Sequence, residues 1–371
     1  MTNVGEIVAR FEQFAPQNWA EDGDPVGLQL GDLKQTVHKM MVTLDVRPEV
    51  VDEAIKNNVD FIFAHHPVIF RPIKKFDLAD PQNKMYASLI KHNITVYTAH
   101  TNLDNAPNGM NDWLADLLEL SKREPLLKEH EESLLKLAVF VPKKAAAKLR
   151  NALTTAGAGQ IGDYLDCSYT LSGIGRFTPQ KDSHPTIGKK LEPTEVAEEK
   201  IEVVFPQKLR SKILKTLRIV HPYEEPAFDL FEIQGNGIKY GMGRVGNLEH
   251  EMSVTEFAKY CQAKFKIAHL RIVTDDLEKR VKKIAILGGS GGQFYREALK
   301  KEVDVYVTGD ISYHTGHDII ANGLVAVDPG HHIEQICKPY LQELFSKWNA
   351  ENSWKIEVLQ SKLITDPFIF I

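Results

Sequence analysis

The strongest constraint on the fold is an alternation of short apolar runs with amphipathic stretches, present toward both ends of the chain and absent from its middle. VHKMMVTLDV, from Val37 to Val46, predicts a buried strand, and RPEVVDEAIKNN predicts a helix with Pro48 in its first turn, where a missing N–H costs nothing. VDFIFAHH and ITVYTAH repeat the strand signal, while KMYASLIKHN and GMNDWLADLLEL repeat the helix signal at helical spacing. The same order returns as KKIAILGG, QFYREALKK, VDVYVTG, HDIIANG, LVAVDPG and IEQICKPYLQELFSKW. Strands that are apolar throughout need cover on both faces, so the pattern predicts an α/β fold with one largely parallel sheet covered by helices. The two stretches read as halves of a single discontinuous domain.

Between them the grammar changes to an internal repeat. LKLAVFVPKKAAAKLRNAL and EKIEVVFPQKLRSKILKTL are each a strand, a Phe-Pro turn and a basic helix, and further strands are expected around DYLDCSYTLSGIG and AFDLFEIQ. Two successive units of this size predict a ferredoxin-like βαββαβ α+β domain inserted into the larger one. The charge-rich KREPLLKEHEES and the glycine-rich QGNGIKYGMGRVGN mark its borders. The expected organisation is residues 1–135, an insert over 136–236, and 237–371.

Composition excludes several classes. The 371 residues carry 45 basic and 50 acidic side chains, a net charge of −5, which does not suit a protein that coats nucleic acid. Cys167, Cys261 and Cys337 are too few and too scattered for a disulfide framework or a CxxC zinc site, in keeping with a reducing cytoplasm. Glu6, Arg10 and Glu12 interrupt any signal-peptide core, and no apolar run of about 18 residues occurs, so a soluble cytoplasmic protein without membrane association is expected.

Polar residues cluster directly after the apolar strands: AHHP, TAHTNLD, GGSGG, GD and DPGHH. In open α/β sheets ligands bind beyond the carboxyl ends of the strands, so five such loops are expected to meet at one mouth. His65 and His66 would turn toward one site at a strand end; the bland reading makes one of them a core residue. Asp104 alone reads more simply as a cap or Asx-turn before the helix near Met110. His331 and Glu334 stand three apart at a predicted helix start, which places them on one face, although a solvated first turn is the plainer role. Together they form an N/O donor set suited to zinc, iron, manganese or nickel.

HHP, TAHTNLD, VTGD and GHHIE, with WAEDGDPVGLQLG near the start, resemble the family of GTP cyclohydrolase I type 2 homologues, also called NIF-three-like proteins. The insert, which carries HPYEEPAFD, is similar to the PII-like or CutA-like domain of the longer bacterial members. The resemblance implies a NIF-three-like sheet domain with a dinuclear site of two divalent ions, zinc, iron or manganese, held by His65, His66, Asp104, His331 and Glu334, with Glu334 bridging. His332 competes with His331; the spacing to Glu334 favours His331. His100, Asn102, Asp310 and His317 fall in the same loops, and His100 or His317 would serve as catalytic proton carrier. GGSGG lacks the ending of a P-loop. His221, Tyr223, Glu224 and Glu225 form either a polar cleft of the insert or a simple turn.

Two functions follow. The first is a metal-dependent hydrolase of a nucleotide-like or phosphorylated small molecule; the family name implies opening of a purine ring at C8, by water that the ions activate. The second is a non-catalytic metal-binding regulator or scaffold whose insert senses a ligand. The resemblance also implies a homohexamer.

Overall fold

The computed structural model describes residues 1–127, 130–162, 164–234, 237 and 239–370. Its contacts divide the chain into two compact units, residues 1–129 with 240–371, and residues 130–239. The border expected at Asn236 lies outside the described residues.

The larger unit contains two sheets where the alternation predicted one. The first runs Gly27–Leu30, Thr95–Thr98, Phe61–Ala64, Lys39–Thr43 and Glu357–Gln360, parallel throughout except for Gly27–Leu30. The second runs Arg271–Val273, Val325–Asp328, Val305–Gly309, Arg280–Ser290, Arg244–Ser253 and Ser121–Pro125, with parallel pairing only at its centre. Periodicity fixes what a segment becomes but not which strand it pairs with, so one sheet and two are equally compatible with the alternation.

The central strands of both sheets are buried on both faces, which explains their unbroken apolar runs. Met40, Val42, Phe61, Phe63 and Tyr97 of the first sheet and Ile284, Ile286, Val305, Val307, Val325 and Val327 of the second enter one shared core. The intervening residues Met41, Ile62 and Val96 pack instead on the helices Pro48–Lys56 and Pro81–Lys91, through Val50, Val51, Met85 and Leu89. Ala285, Leu287, Tyr306 and Ala326 face a corresponding outer layer with Ala298 and Ile319. The helices Val4–Phe14, Met110–Leu117, Val254–Phe265 and Cys337–Asn352 fill the shared core. Phe63 lies 4.6 Å from Phe11 and 4.8 Å from Phe345, centroid to centroid, which ties the first sheet to the first and last of these helices. Among the described residues no helix is long and apolar enough to cross a membrane.

The smaller unit runs strand Leu134–Pro142, helix Lys143–Thr155, strands Tyr169–Phe177 and Thr194–Pro206, helix Arg210–Val220 and strand Phe228–Ile233. Its antiparallel sheet places the fourth of these strands beside the first, then the third and the second. Leu137, Val139, Ile201 and Val203 pack against Leu149, Leu153, Ile213 and Leu217, so both helices cover the same face.

The chain leaves and re-enters the larger unit at neighbouring points: Leu127 N–H donates to Met242 O at 3.0 Å. Joining Leu127 to Tyr240 through a short Gly/Ser link also keeps the Tyr240 ring stacked on Trp19 at 4.6 Å. We expect this excised chain to unfold in a single cooperative thermal transition with native-like circular dichroism. An aggregated or molten product would contradict independent units.

Candidate metal centre

His65 and His66 directly follow the strand Phe61–Ala64, and their N–H groups donate to Thr43 O and Leu44 O at 3.1 and 2.9 Å. The sheet's hydrogen bonding therefore continues through both residues and fixes their backbone. Asp104 lies within a short helix of its own, Thr101–Asn105, after the strand Thr95–Thr98, instead of forming a turn ahead of Met110. His331 and Glu334 lie in a 3₁₀ helix, His331–Ile336, not in the first turn of an α-helix. With three residues per turn, side chains three apart eclipse, so both point to the same place. Gly330, at φ 85°, turns the chain into this segment from the strand Val325–Asp328. The site thus draws on the strand ends of two sheets, which corrects the single-sheet expectation.

The donors form three overlapping groups that could hold a metal ion: His65, Asp104 and Glu334; His66, His331 and Glu334; and His65, His66 and His100. Glu334 divides between the first two. Its Oε2 lies 3.1 Å from His66 Nε2 and 3.2 Å from His331 Nε2, while Oε1 faces His65 Nε2 at 3.9 Å. Asp104 Oδ1 is 3.6 Å from His65 Nε2. Two ligands about 2.1 Å from one tetrahedral ion would stand about 3.4 Å apart, the same range.

Each imidazole is held from behind. His65 Nδ1 donates to the Ala99 carbonyl at 2.8 Å, which can only accept, so Nε2 is the nitrogen left for the centre. Carboxylates take the Nδ1 of the other three: Asp45 for His66 at 2.7 Å, Asp24 for His100 at 2.9 Å and Asp310 for His331 at 2.7 Å. Asp310 was expected in this role, whereas Asp24 and Asp45 were not singled out. Their signal was present: Asp24 lies in WAEDGDP, and Asp45 stands just past a strand end like the other polar residues. Asp45 also accepts the Thr365 hydroxyl, which anchors the C-terminal segment beside His66.

The remaining candidates occupy other places. Asn102 is buried and donates to Ala15 O at 2.8 Å, which fixes the Thr101–Asn105 helix against the end of the first helix. His332 belongs to none of the three groups, and its Nε2 is buried without a hydrogen-bond partner among the described residues. His317 is exposed on the helix Tyr313–Ala321, 4.7 Å from the Tyr313 ring, and belongs to none of the three groups. The first three residues of GGSGG end the long strand Arg280–Ser290, and its last glycine opens a 3₁₀ helix, Gly292–Phe294. A Cβ on Gly288 or Gly289 would stand 2.8 or 2.9 Å from Glu334 Oε1, so these glycines leave room for that carboxylate.

Electrostatics follow from this packing. Burial disfavours the Glu334 carboxylate, but His331, His65 and His66 outweigh it and hold its pKa well below the ordinary value. Burial and the neighbouring Glu334 charge push Asp104 up. Burial lowers His66, yet its hydrogen bonds to Asp45 and Glu334 prevail and raise it to about 10. The hydrogen bond to Glu334 similarly raises His331 to about 9.

A cleft of about 850 Å³ opens beside the cluster, bounded by His66 and His331, by Arg47 and Arg271, and by Phe368 and Phe370 of the C-terminal segment. Phe370 lies 5.1 Å from the His269 ring.

A two-sheet α/β unit with a histidine–carboxylate cluster at its strand ends, interrupted by a four-stranded insert, defines a class of protein. The model of the Duf34/NIF3 (NGG1p interacting factor 3) family matches residues 2–367, and the chain belongs to this family. It is 44% identical over 371 residues to a protein from Listeria innocua named GTP cyclohydrolase 1 type 2 homolog, covering 100% of this chain and 99% of that protein. A relative of the same name from Bacillus subtilis is 41% identical over 369 residues, with 100% and 99% covered. A crystal structure of a Bacillus cereus protein related to NIF3 superposes with a TM-score of 0.90 at 38% identity, covering 100% of this chain and 99% of that one.

Gly289 offers a direct test of the packing around Glu334. Its φ of 65° already penalises a side chain by about 1–2 kcal/mol. Gly323, at φ 70°, carries the same backbone penalty with nothing within 4 Å of an added Cβ. In urea denaturation Gly289→Ala should therefore lose more stability than Gly323→Ala, the excess reading the clash with Glu334. Equal losses would contradict the close approach.

Proposed function

We propose that this protein is a metal-dependent hydrolase that holds two divalent ions, zinc, iron or manganese, and acts on a nucleotide-like or otherwise phosphorylated small molecule. The observation that carries the reading is the division of Glu334 between two donor groups, one for each carboxylate oxygen. His65, Asp104 and Glu334 would hold one ion; His66, His331 and Glu334 would hold the other. The fit is supported by two orphans: His65 Nε2 and Asp104 Oδ1 are buried, have no hydrogen-bond partner among the described residues, and face each other at 3.6 Å. Buried polar atoms are rarely left unpaired, and a cation between them satisfies both. Bound there, the ions would supply Lewis acidity and lower the pKa of water toward neutrality.

The chain's own residues do the rest. Asp45, Asp24 and Asp310 fix the orientation of the imidazoles they hold. His100 stands with its ring 5.3 Å from His65 and 5.6 Å from His66, and Asp24 keeps its Nδ1 engaged, which supports a role for its Nε2 in accepting or returning a proton. Arg47 on the wall of the cleft suits an anionic group, while Arg271 is paired with Asp328; Phe368 with Phe370 suits a planar ring. The relatives' name makes GTP the first substrate to test; no residue here selects guanine.

A second reading, a non-catalytic metal-binding regulator or scaffold with a ligand-sensing insert, draws on the smaller unit. Its βαββαβ order supports a ferredoxin-like domain of the PII or CutA kind. We further propose a homohexamer located in the cytoplasm; light scattering of the purified protein would test the hexamer.

Chelation should abolish nucleotide hydrolysis and added zinc, iron or manganese should restore it; full activity in metal-free protein would overturn the mechanism. Metal bound at full occupancy without turnover on any nucleotide would favour the regulator. His100→Ala should lower turnover with metal content nearly intact, and His317→Ala serves as the control outside the cluster. Glu334→Ala should lose more metal by elemental analysis than His332→Ala.

Ion uptake must also displace protons. With His66 raised to about 10 and His331 to about 9, both imidazoles are protonated in metal-free protein at pH 7. Zinc binding should therefore release protons, and affinity should fall as pH falls, by up to about tenfold per unit for each proton displaced. Calorimetry in buffers of different ionisation enthalpy reads the number; no proton release would contradict the arrangement.

A further inference from the structure

The smaller unit carries a cavity of about 620 Å³ on the sheet face opposite its two helices. Phe140, Leu171, Phe177 and Ile187 supply apolar wall, and the turn His221–Pro226 brings Tyr223, Glu224 and Glu225 to its edge. Its size lies within the roughly 300–1,000 Å³ typical of small-molecule sites, which are mostly apolar with a few convergent polar groups.

The charges around it are unevenly compensated. Arg176 is paired with Glu195 at 2.7 Å, and Lys200 shares Glu202 with Lys136, at 2.6 and 3.4 Å. Glu224 accepts the His184 N–H at 2.7 Å, with the His184 ring at 3.7 Å. Glu198 accepts only the Tyr223 hydroxyl, at 2.9 Å, and neither Glu198 nor Glu225 is ion-paired among the described residues. The uncompensated charge of an otherwise apolar, aromatic-walled cavity is therefore negative. Gly175 leaves room for Glu198, since an added Cβ would overlap Glu198 Oε2.

We propose that this cavity binds a small organic cation, an amine on an apolar body, whose ammonium group is held by Glu198 and Glu225 against the Tyr223 ring while its apolar part fills the space between Leu171 and Phe177. A carboxylate on the same apolar body would meet like charge there.

The test uses the full-length protein and two fluorescent probes of similar body and opposite charge, dansylcadaverine and N-dansyl-6-aminohexanoic acid, titrated at pH 7.5. The amine should bind at least about tenfold more tightly. The double variant Glu198→Gln/Glu225→Gln should remove most of that preference. Gly173→Phe, placed on the cavity wall where an added Cβ meets nothing within 4 Å, should abolish binding of the amine without changing the thermal unfolding midpoint. Equal or tighter binding of the acid, or amine binding that survives both variants, would overturn the proposal. So would absence of probe binding combined with a change of oligomeric mass in Gly173→Phe, which would make this face an interface between copies.

Discussion

A single carboxylate, Glu334, is buried where two sheets bring their strand ends together, and the surrounding structure is arranged around its charge. A buried ionised group is costly unless it is paired. Here His66 and His331 lie within 3.2 Å of one oxygen, and His65 faces the other. Gly288 and Gly289 keep the space that Glu334 fills. The backbone provides for it too: the 3₁₀ turn eclipses Glu334 with His331, where an α-helix would offset them. Burial of Asp104 beside this charge adds a second carboxyl that resists ionisation. A cluster with this much concentrated negative potential, lined by imidazoles, is stable either by holding protons or by exchanging them for cations, and the proposed function rests on that exchange.

The two sheets give this arrangement its stiffness. His65 and His66 continue the hydrogen bonding of a strand whose side chains are packed on both faces, and His331 follows a strand equally buried. The shared core, with Phe11, Phe63 and Phe345 in contact, holds the first sheet to the helix that leads away from the Glu334 turn. Ligands placed on such elements have little freedom to adapt, so the spacing between the donor groups is set by the fold. The carboxylates behind the imidazoles complete the effect by fixing ring orientation. Thr365, bonded to the Asp45 carboxylate that holds His66, links the C-terminal wall of the cleft to the same network.

Much of this was legible in the sequence because local periodicity is a local property. The apolar runs around Met40, Ile62, Val96, Ile284, Val305 and Val325 are strands, and the histidines and acids placed after them do converge. The division into two sheets was not legible, since strand pairing depends on contacts between residues hundreds of positions apart. Asp24 and Asp45 were missed for a related reason: a lone aspartate near a turn is indistinguishable from a cap until its partner is known. The role of Gly288 and Gly289 was invisible as well, because the atom they accommodate lies some 45 residues downstream. His317 was grouped with the site by position along the chain, yet the helix that carries it points it to solvent beside Tyr313.

The central claim is that Glu334 serves two ions at once. Crystals of the full-length protein grown with zinc, with diffraction recorded on both sides of the zinc absorption edge, test it most directly. Two anomalous peaks per chain are expected about 3.5–4 Å apart, one on each side of Glu334. A single peak, or two that leave one Glu334 oxygen uncoordinated, would contradict it.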